Sequence, residues 1–259
     1  MSLPVMMNPH TASPNTPQTV GPKARKIPAV DTLFWAMVVL SAVAGIAAEP
    51  APSPMVRLFL VAGGTLTLIA MVVFQIMLRR YRPVPYWITV VMTSLVGASV
   101  ANSLGPALAA SLGGGLLLLG LIAWLLFERP SSALEVRTVR QESVYWVVVF
   151  AALVLGTGMR QLLSVTAHLG SLSSSIVFAA VVALSVIAYS FFRVPASAAF
   201  WWAFVGVIPL AGAVAELIAI AAGGAAAAKL TVGLLALVAL AVLVVIDSGR
   251  NRRRAARGM

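Results

Sequence analysis

Long apolar stretches alternate along this chain with short polar or basic stretches. A helix needs about 20 apolar residues to cross about 30 Å of hydrocarbon. Eight stretches reach that length, and they lack the alternation of apolar and polar residues that a barrel strand shows. They are 31–49, 56–78, 86–103, 107–127, 144–163, 172–192, 198–221 and 230–247. The pattern predicts an all-α fold, a polytopic membrane helical bundle of about eight transmembrane helices.

Composition supports lipid as the solvent around these helices. Hydrophobic residues make up 61% of the 259 residues, charged residues only 10%, and the mean hydropathy is +1.00. A soluble protein of this length could not bury so much apolar surface. The absence of cysteine excludes disulfides, thiolate metal sites and cysteine nucleophiles. Because phosphate-binding, dinucleotide and zinc motifs are also missing, the sequence predicts no enzyme, no cofactor and no metal.

Basic residues predict the orientation of the bundle. The formal charge is +11, and all but three of the 18 lysines and arginines fall on one side of the predicted bundle. The three exceptions are Arg57, Arg160 and Lys229. By the positive-inside rule both termini are cytoplasmic. Because the charge sets orientation here, the basic end "GRNRRRAARGM" is not expected to bind nucleic acid.

An aromatic-Trp pair opens every second predicted helix, and a glycine follows each tryptophan by ten residues. The pairs are Phe34-Trp35, Tyr86-Trp87, Tyr145-Trp146 and Trp201-Trp202, and the glycines are Gly45, Gly97, Gly156 and Gly212. This spacing predicts four parallel two-helix repeats. The glycines are expected to allow close helix contact, and the tryptophans to form a belt at the membrane interface.

Charged and amide residues near the ends of the same helices form the candidate site. Arg160 lies 14 residues after its tryptophan, and the equivalent positions in the first and fourth repeats are Glu49 and Glu216. Asn102 and Gln161 lie one residue further on in the second and third repeats. At one depth and on matching faces, these groups are expected to meet, with Arg160 paired to Glu49, Glu216 or both. The cluster is interpreted as a solute or ion site, as a purely structural clasp, or as charges exposed at the interface.

The domain boundaries follow from where the apolar stretches begin and end. The predicted parts are a disordered cytoplasmic arm at 1–28, repeats 1 and 2 at 29–130, a linker at 131–143, repeats 3 and 4 at 144–247, and a basic cytoplasmic tail at 248–259. The loop acids Glu128, Glu135 and Glu142 are expected to be scattered over a solvated surface.

Four segments carry a family resemblance. "RKIPAVDTLFWAMVVLSAVAGIAAE", "RRYRPVPYWITVVMTSLVGASVAN", "SVYWVVVFAALVLGTGMRQLL" and "FWWAFVGVIPLAGAVAELI" together resemble a bacterial family of uncharacterised multi-pass membrane proteins built from a repeat of unknown function. The resemblance covers about residues 25–247 and implies a bacterial inner membrane location. In relatives the repeat typically closes on an acidic residue. Here that acid is kept as Glu49 and Glu216, while Ala101/Asn102 and Arg160/Gln161 depart from the pattern.

Repeated architecture with a polar cluster between repeats resembles the general plan of secondary transporters. It favours passage or exchange of a small solute or ion. The competing interpretation is a non-transporting membrane scaffold or assembly partner in which the intramembrane charges only fasten the repeats. A lipid-facing enzyme is the third interpretation, and no motif supports it.

Overall fold

All secondary structure in the described part of this computed structural model is helical, so the all-α prediction is confirmed. The structure describes residues 26–47, 53–127, 136, 138–224 and 226–256. Its helices are α1 (Thr32–Ala47), α2 (Pro54–Met77), α3 (Pro83–Leu104), α4 (Pro106–Phe127), α5 (Val139–Gln161), α6 (Gly170–Phe192), α7 (Ala196–Ala221) and α8 (Ala226–Ala256). A π-helical turn at Leu162–Thr166 follows α5.

Six of these helices, α3 to α8, are long and apolar enough to cross a membrane. The other two have shorter apolar portions, Thr32–Gly45 in α1 and Val61–Met77 in α2. These candidate spans support a helical membrane protein, while the count of eight spans stays a prediction.

Local sequence explains where several helices start and stop. Pro83 begins α3, where a missing backbone N–H costs nothing. Gly105 follows that helix with a φ of 81°, a conformation that glycine adopts without strain, and α4 then starts at Pro106. A capping box begins α5, because Thr138 accepts from the backbone of Gln141 while the Gln141 side chain accepts from the backbone of Thr138.

The odd-numbered helices form the inside of the bundle. Contacts join α1 to α3, α3 to α5, α5 to α7, and α7 back to α1, so these four helices close a ring. Each even helix packs against the outside of that ring, with its most extensive contacts to α3 for α2, α5 for α4, α7 for α6 and α1 for α8. The inner helices are also more buried than the outer ones. Within the apolar part of each helix, 50 to 56% of the residues are buried in α3, α5 and α7, against 17 to 28% in α4, α6 and α8.

The structure differs from the predicted domain boundaries at two places. The arm is predicted to extend to residue 28, yet Lys26 and Ile27 are buried against the bundle. The linker is predicted to extend to residue 143, but α5 already begins at Val139 because the capping box lies there. The predicted basic tail begins at residue 248, and α8 continues through this part of the chain to Ala256. The rest of the arm and most of the linker lie outside the described residues.

Candidate functional site

Eight aromatic side chains from α1, α3, α5 and α7 pack together where these helices begin, and we call them the aromatic cluster. They form four neighbouring pairs whose ring centroids are 5.0 to 5.4 Å apart: Phe34–Trp35, Tyr86–Trp87, Tyr145–Trp146 and Phe200–Trp201. The first ring of each pair also contacts the tryptophan of the next pair at 5.4 to 5.8 Å: Phe34 with Trp87, Tyr86 with Trp146, Tyr145 with Trp201, and Phe200 with Trp35. The ring of helices is therefore closed at this end, the aromatic end, by a ring of side chains.

The aromatic cluster corrects two predictions. The interfacial tryptophan belt is wrong for Trp87, Trp146 and Trp201, because each is at most 4% exposed and faces other aromatic rings. The pair predicted for the fourth repeat, Trp201-Trp202 in α7, is also wrong, since Trp202 is 44% exposed. Phe200 and Trp201 occupy the places that correspond to the other three pairs.

The opposite ends of α3, α5 and α7 bring four of the predicted site residues together, and we call this the polar end. The Nη1 atom of Arg160 lies 3.0 Å from Oε2 of Glu216, and the side-chain amide of Gln161 donates to that of Asn102. Glu49, the fifth predicted site residue, lies outside the described residues. The polar end is only partly enclosed, with the side chains of Arg160 and Glu216 13% and 29% exposed.

Two polar atoms at this end of α5 have no hydrogen-bond partner in the described residues. They are Nε of Arg160 and the hydroxyl of Thr157, and both are buried. Other hydroxyls that could have lined a polar path bond to their own helix, as Thr93 does to the carbonyl of Thr89 and Ser94 to that of Val90. Hydrogen-bonding capacity for a bound group therefore remains at Arg160 and Thr157.

Three of the four predicted packing glycines lie where consecutive inner helices touch. A methyl group on Gly45 would lie 2.8 Å from the backbone carbonyl carbon of Ser94. On Gly97 and Gly156 it would lie 3.0 Å from side-chain atoms of Leu153 and Ile208, respectively. Gly212 is buried in α7. These positions have little or no room for a larger residue, which is what close helix contact requires.

A second group of charged residues lies at the aromatic end and was missed by the sequence analysis. Lys26 Nζ lies 2.6 Å from Glu142 Oε2, and both side chains are almost fully buried. Glu142 was predicted to be a solvated loop acid, and this prediction is wrong because the residue lies in the first turn of α5 and faces inward. In the sequence Lys26 and Glu142 each lie in a short polar segment without a helical period. Nothing in these segments predicts that two residues so far apart in the chain would pair.

Tyr81, in the segment between α2 and α3, links α8 to the same end. Its hydroxyl donates to Asp247 Oδ2 at 2.6 Å and accepts from the indole N–H of Trp87 at 3.2 Å. Burial raises the pKa of the Tyr81 hydroxyl well above its ordinary value, and the hydrogen bond to Asp247 raises it further. Nearby, the hydroxyls of Tyr86 and Tyr145 lie 2.5 Å apart.

The described residues provide neither a cluster of metal ligands nor, in the groove between α4 and α7, a polar lining. Within the ranges that the structure describes, no three His, Asp or Glu side chains are placed to hold a metal ion. An apolar groove of about 310 Å³ lies between α4 and α7, next to Trp124, Trp201 and Trp202, and contains no charged side chain. The ion pairs Lys26–Glu142 and Arg160–Glu216 thus lie at opposite ends of the bundle.

No family model, curated protein or solved structure matches this chain. The resemblance to the repeat family therefore stays a prediction.

Proposed function

We propose that the chain is an integral membrane protein of eight spans, built from four parallel two-helix repeats as in the family that it resembles. The proposal is supported by the cyclic contacts of α1, α3, α5 and α7 and by the equivalent ring contacts that their aromatic pairs make. The apolar surface of the even helices supports it too, since large side chains such as Leu119 and Phe191 are 65% and 79% exposed. Lipid is the solvent in which such a surface is stable.

In this proposal the aromatic end faces the cytoplasm of a bacterial cell and the polar end faces outward. The proposed orientation is supported by the basic residues, because all but three of the 18 lysines and arginines lie on the side of the proposed spans that holds the two termini.

The proposed activity is the passage or exchange of a small solute or ion through the repeat bundle. One observation carries it: Arg160, Glu216, Asn102 and Gln161 converge from three inner helices at one end of a ring that aromatic side chains close at the other. Ionisable groups inside a membrane commonly mark such paths. The unpartnered Nε of Arg160 and hydroxyl of Thr157 leave donors for a solute.

A second proposal is a non-transporting scaffold, and it has its own supporting observation. Arg160 contacts Glu216 directly and Gln161 contacts Asn102 directly, so each charge or amide has a partner on the neighbouring helix without any ligand. Such contacts would fasten α3, α5 and α7 together and offset the cost of burying these groups.

Ligand-dependent thermal unfolding in detergent separates the two proposals. Wild type and Glu216→Gln would be compared over monovalent and divalent ions and small carboxylates and amines, because a ligand that binds only the folded protein raises Tm by mass action. Transport predicts a saturable, selective rise in wild type that Glu216→Gln loses. Asp31→Asn is the matched control, since Asp31 pairs with Arg250 away from the polar end, and this variant should keep the response.

The opposite result favours the scaffold. If no ligand shifts the Tm of wild type and Glu216→Gln is simply less stable, the polar end is a clasp and the transport proposal fails.

A further inference from the structure

Lys26 and Glu142 form the most buried ion pair between described residues. Their side chains are 8% and 1% exposed, against 13% and 29% for Arg160 and Glu216. Besides the carboxylate, Lys26 Nζ donates to the backbone carbonyl of Ile76 at 2.9 Å. Ile76 lies in the last turn of α2, where carbonyls have no partner within the helix and the helix dipole is negative. Two features that favour a cation, a buried carboxylate and a helix C-terminus, therefore meet at one ammonium group.

The carboxylate of Glu142 has acceptor capacity that Lys26 does not use. Lys26 Nζ contacts Oε2, whereas the buried Oε1 atom accepts no hydrogen bond of ordinary geometry from the described residues. Buried polar atoms are normally paired, so this carboxylate favours a cation that carries several N–H donors.

The occupant and the acceptors come from different parts of the fold. Glu142 and Ile76 belong to α5 and α2, whereas Lys26 belongs to the segment that precedes α1. That segment is also held by a hydrogen bond from Lys26 N to Val136 O at 3.0 Å, by the burial of Ile27 and by the ion pair of Asp31 with Arg250. Both acceptors are therefore carried by helices, whereas the ammonium group is carried by a different segment.

We propose that Glu142 and the C-terminal carbonyl of α2 form a binding site for a primary ammonium group, and that Lys26 is its tethered occupant. The site prefers a primary ammonium group over a fully alkylated cation, because only the former has N–H donors for the carboxylate and the carbonyl. While Lys26 is bound, the segment before α1 is fastened across α2 and α5 beside the aromatic cluster. This is a self-occupied site, and a soluble amine binds only when Lys26 is absent or withdrawn. The proposal does not depend on transport, since it concerns the end opposite Arg160.

Rescue of Lys26→Ala by a soluble amine tests the proposal. We expect this variant in detergent to have a lower Tm than wild type and to regain most of the loss, saturably, in methylammonium chloride. At hundredfold excess over its dissociation constant, such a ligand shifts the folding equilibrium about a hundredfold. Tetramethylammonium chloride, which has the same charge but no N–H, should give no rescue, and neither salt should shift wild type.

Two further variants make the test specific. Lys26→Ala combined with Glu142→Gln should lose the rescue, because the carboxylate is removed. Arg250→Ala breaks an exposed ion pair with Asp31 and should show no methylammonium effect. The proposal is overturned if methylammonium stabilises Lys26→Ala no better than tetramethylammonium does, or if the double variant responds equally. Should Lys26→Ala be lost during purification, Lys26→Gln would be solubilised in each salt, and equal folded yields would overturn it as well.

Discussion

The run of three glycines in α4 allows a quantitative test of how closely the outer helices approach the inner ring. Gly113 faces α5, where an added methyl group would lie 2.5 Å from the backbone nitrogen and 2.9 Å from the Cα of Leu155. Gly115, two residues on, is exposed and has nothing within 4 Å of the same position. Gly113→Ala must therefore push α4 away from α5, while Gly115→Ala extends into the surroundings.

The expected difference between the two variants can be worked out directly. Both replace a mid-helix glycine by alanine, so the gain in helix propensity, roughly 0.5–1 kcal/mol in water, is common to both and cancels. The remaining term is overpacking, typically about 1–3 kcal/mol. The upper part of that range applies, because the clash is with backbone atoms of α5 and not with a flexible side-chain end. Gly114→Ala should behave like Gly115→Ala, since its nearest contact is Leu155 Cδ1 at 3.7 Å.

Equilibrium unfolding in mixed micelles, with the same detergent for all three variants, measures this difference. Gly113→Ala should have the lowest free energy of unfolding, and the other two variants should be as stable as wild type or slightly more stable. If Gly113→Ala is as stable as Gly115→Ala, then α4 does not pack against α5 as described and the reasoning from close backbone contact fails.

Three further predictions concern the charged and hydroxyl groups. The Tyr81 hydroxyl stays protonated in the folded state, whereas in the unfolded chain it ionises above about pH 10. In alkaline unfolding titrations wild type should therefore lose stability above that pH more steeply than Tyr81→Phe does. Arg160→Glu and Glu216→Arg should each lower the free energy of unfolding by roughly 1–3 kcal/mol, between the values for exposed and buried ion pairs. The variant with both substitutions should recover most of this loss in the same micelle assay, and no recovery would contradict direct contact of the two side chains. Arg250→Ala removes an exposed pair with Asp31 and should change stability by less than about 0.5 kcal/mol; a larger loss would show that α8 depends on this contact.

The helices could be predicted from the sequence because each one is a continuous apolar stretch with polar ends. The contact of Arg160 with Glu216 could be anticipated as well, since a charge within an apolar stretch has few partners at the same depth. Lys26 and Glu142 could not, because both lie in polar surroundings where a charge is usually solvated. Their burial depends on how the segment before α1 packs against α2 and α5, a tertiary arrangement without a local sequence signal.

The sequence also led to the wrong aromatic pair in α7, because the segment "FWWAF" contains two aromatic-Trp pairs. The spacing to Gly212 favoured the second pair, whereas packing selects Phe200 and Trp201 because only these rings reach both neighbouring pairs. Counted from Trp201, Glu216 lies at 15 residues and matches Asn102 and Gln161, while Arg160 lies at 14 from its own tryptophan. The contact between Arg160 and Glu216 therefore joins unlike positions of the proposed repeats.

The two ends of the inner ring thus follow different rules. At the aromatic end, four helices contribute similar residues and make similar contacts, which is what the packing of a closed ring requires. At the polar end, α3, α5 and α7 contribute an amide, a cation with an amide, and a carboxylate. Small apolar residues would be sufficient for helix packing at this end. Burying charged and amide groups there costs free energy that packing of the ring does not require. Residues that are unfavourable for folding are expected at functional sites. The polar end is therefore the first place to test for a bound solute.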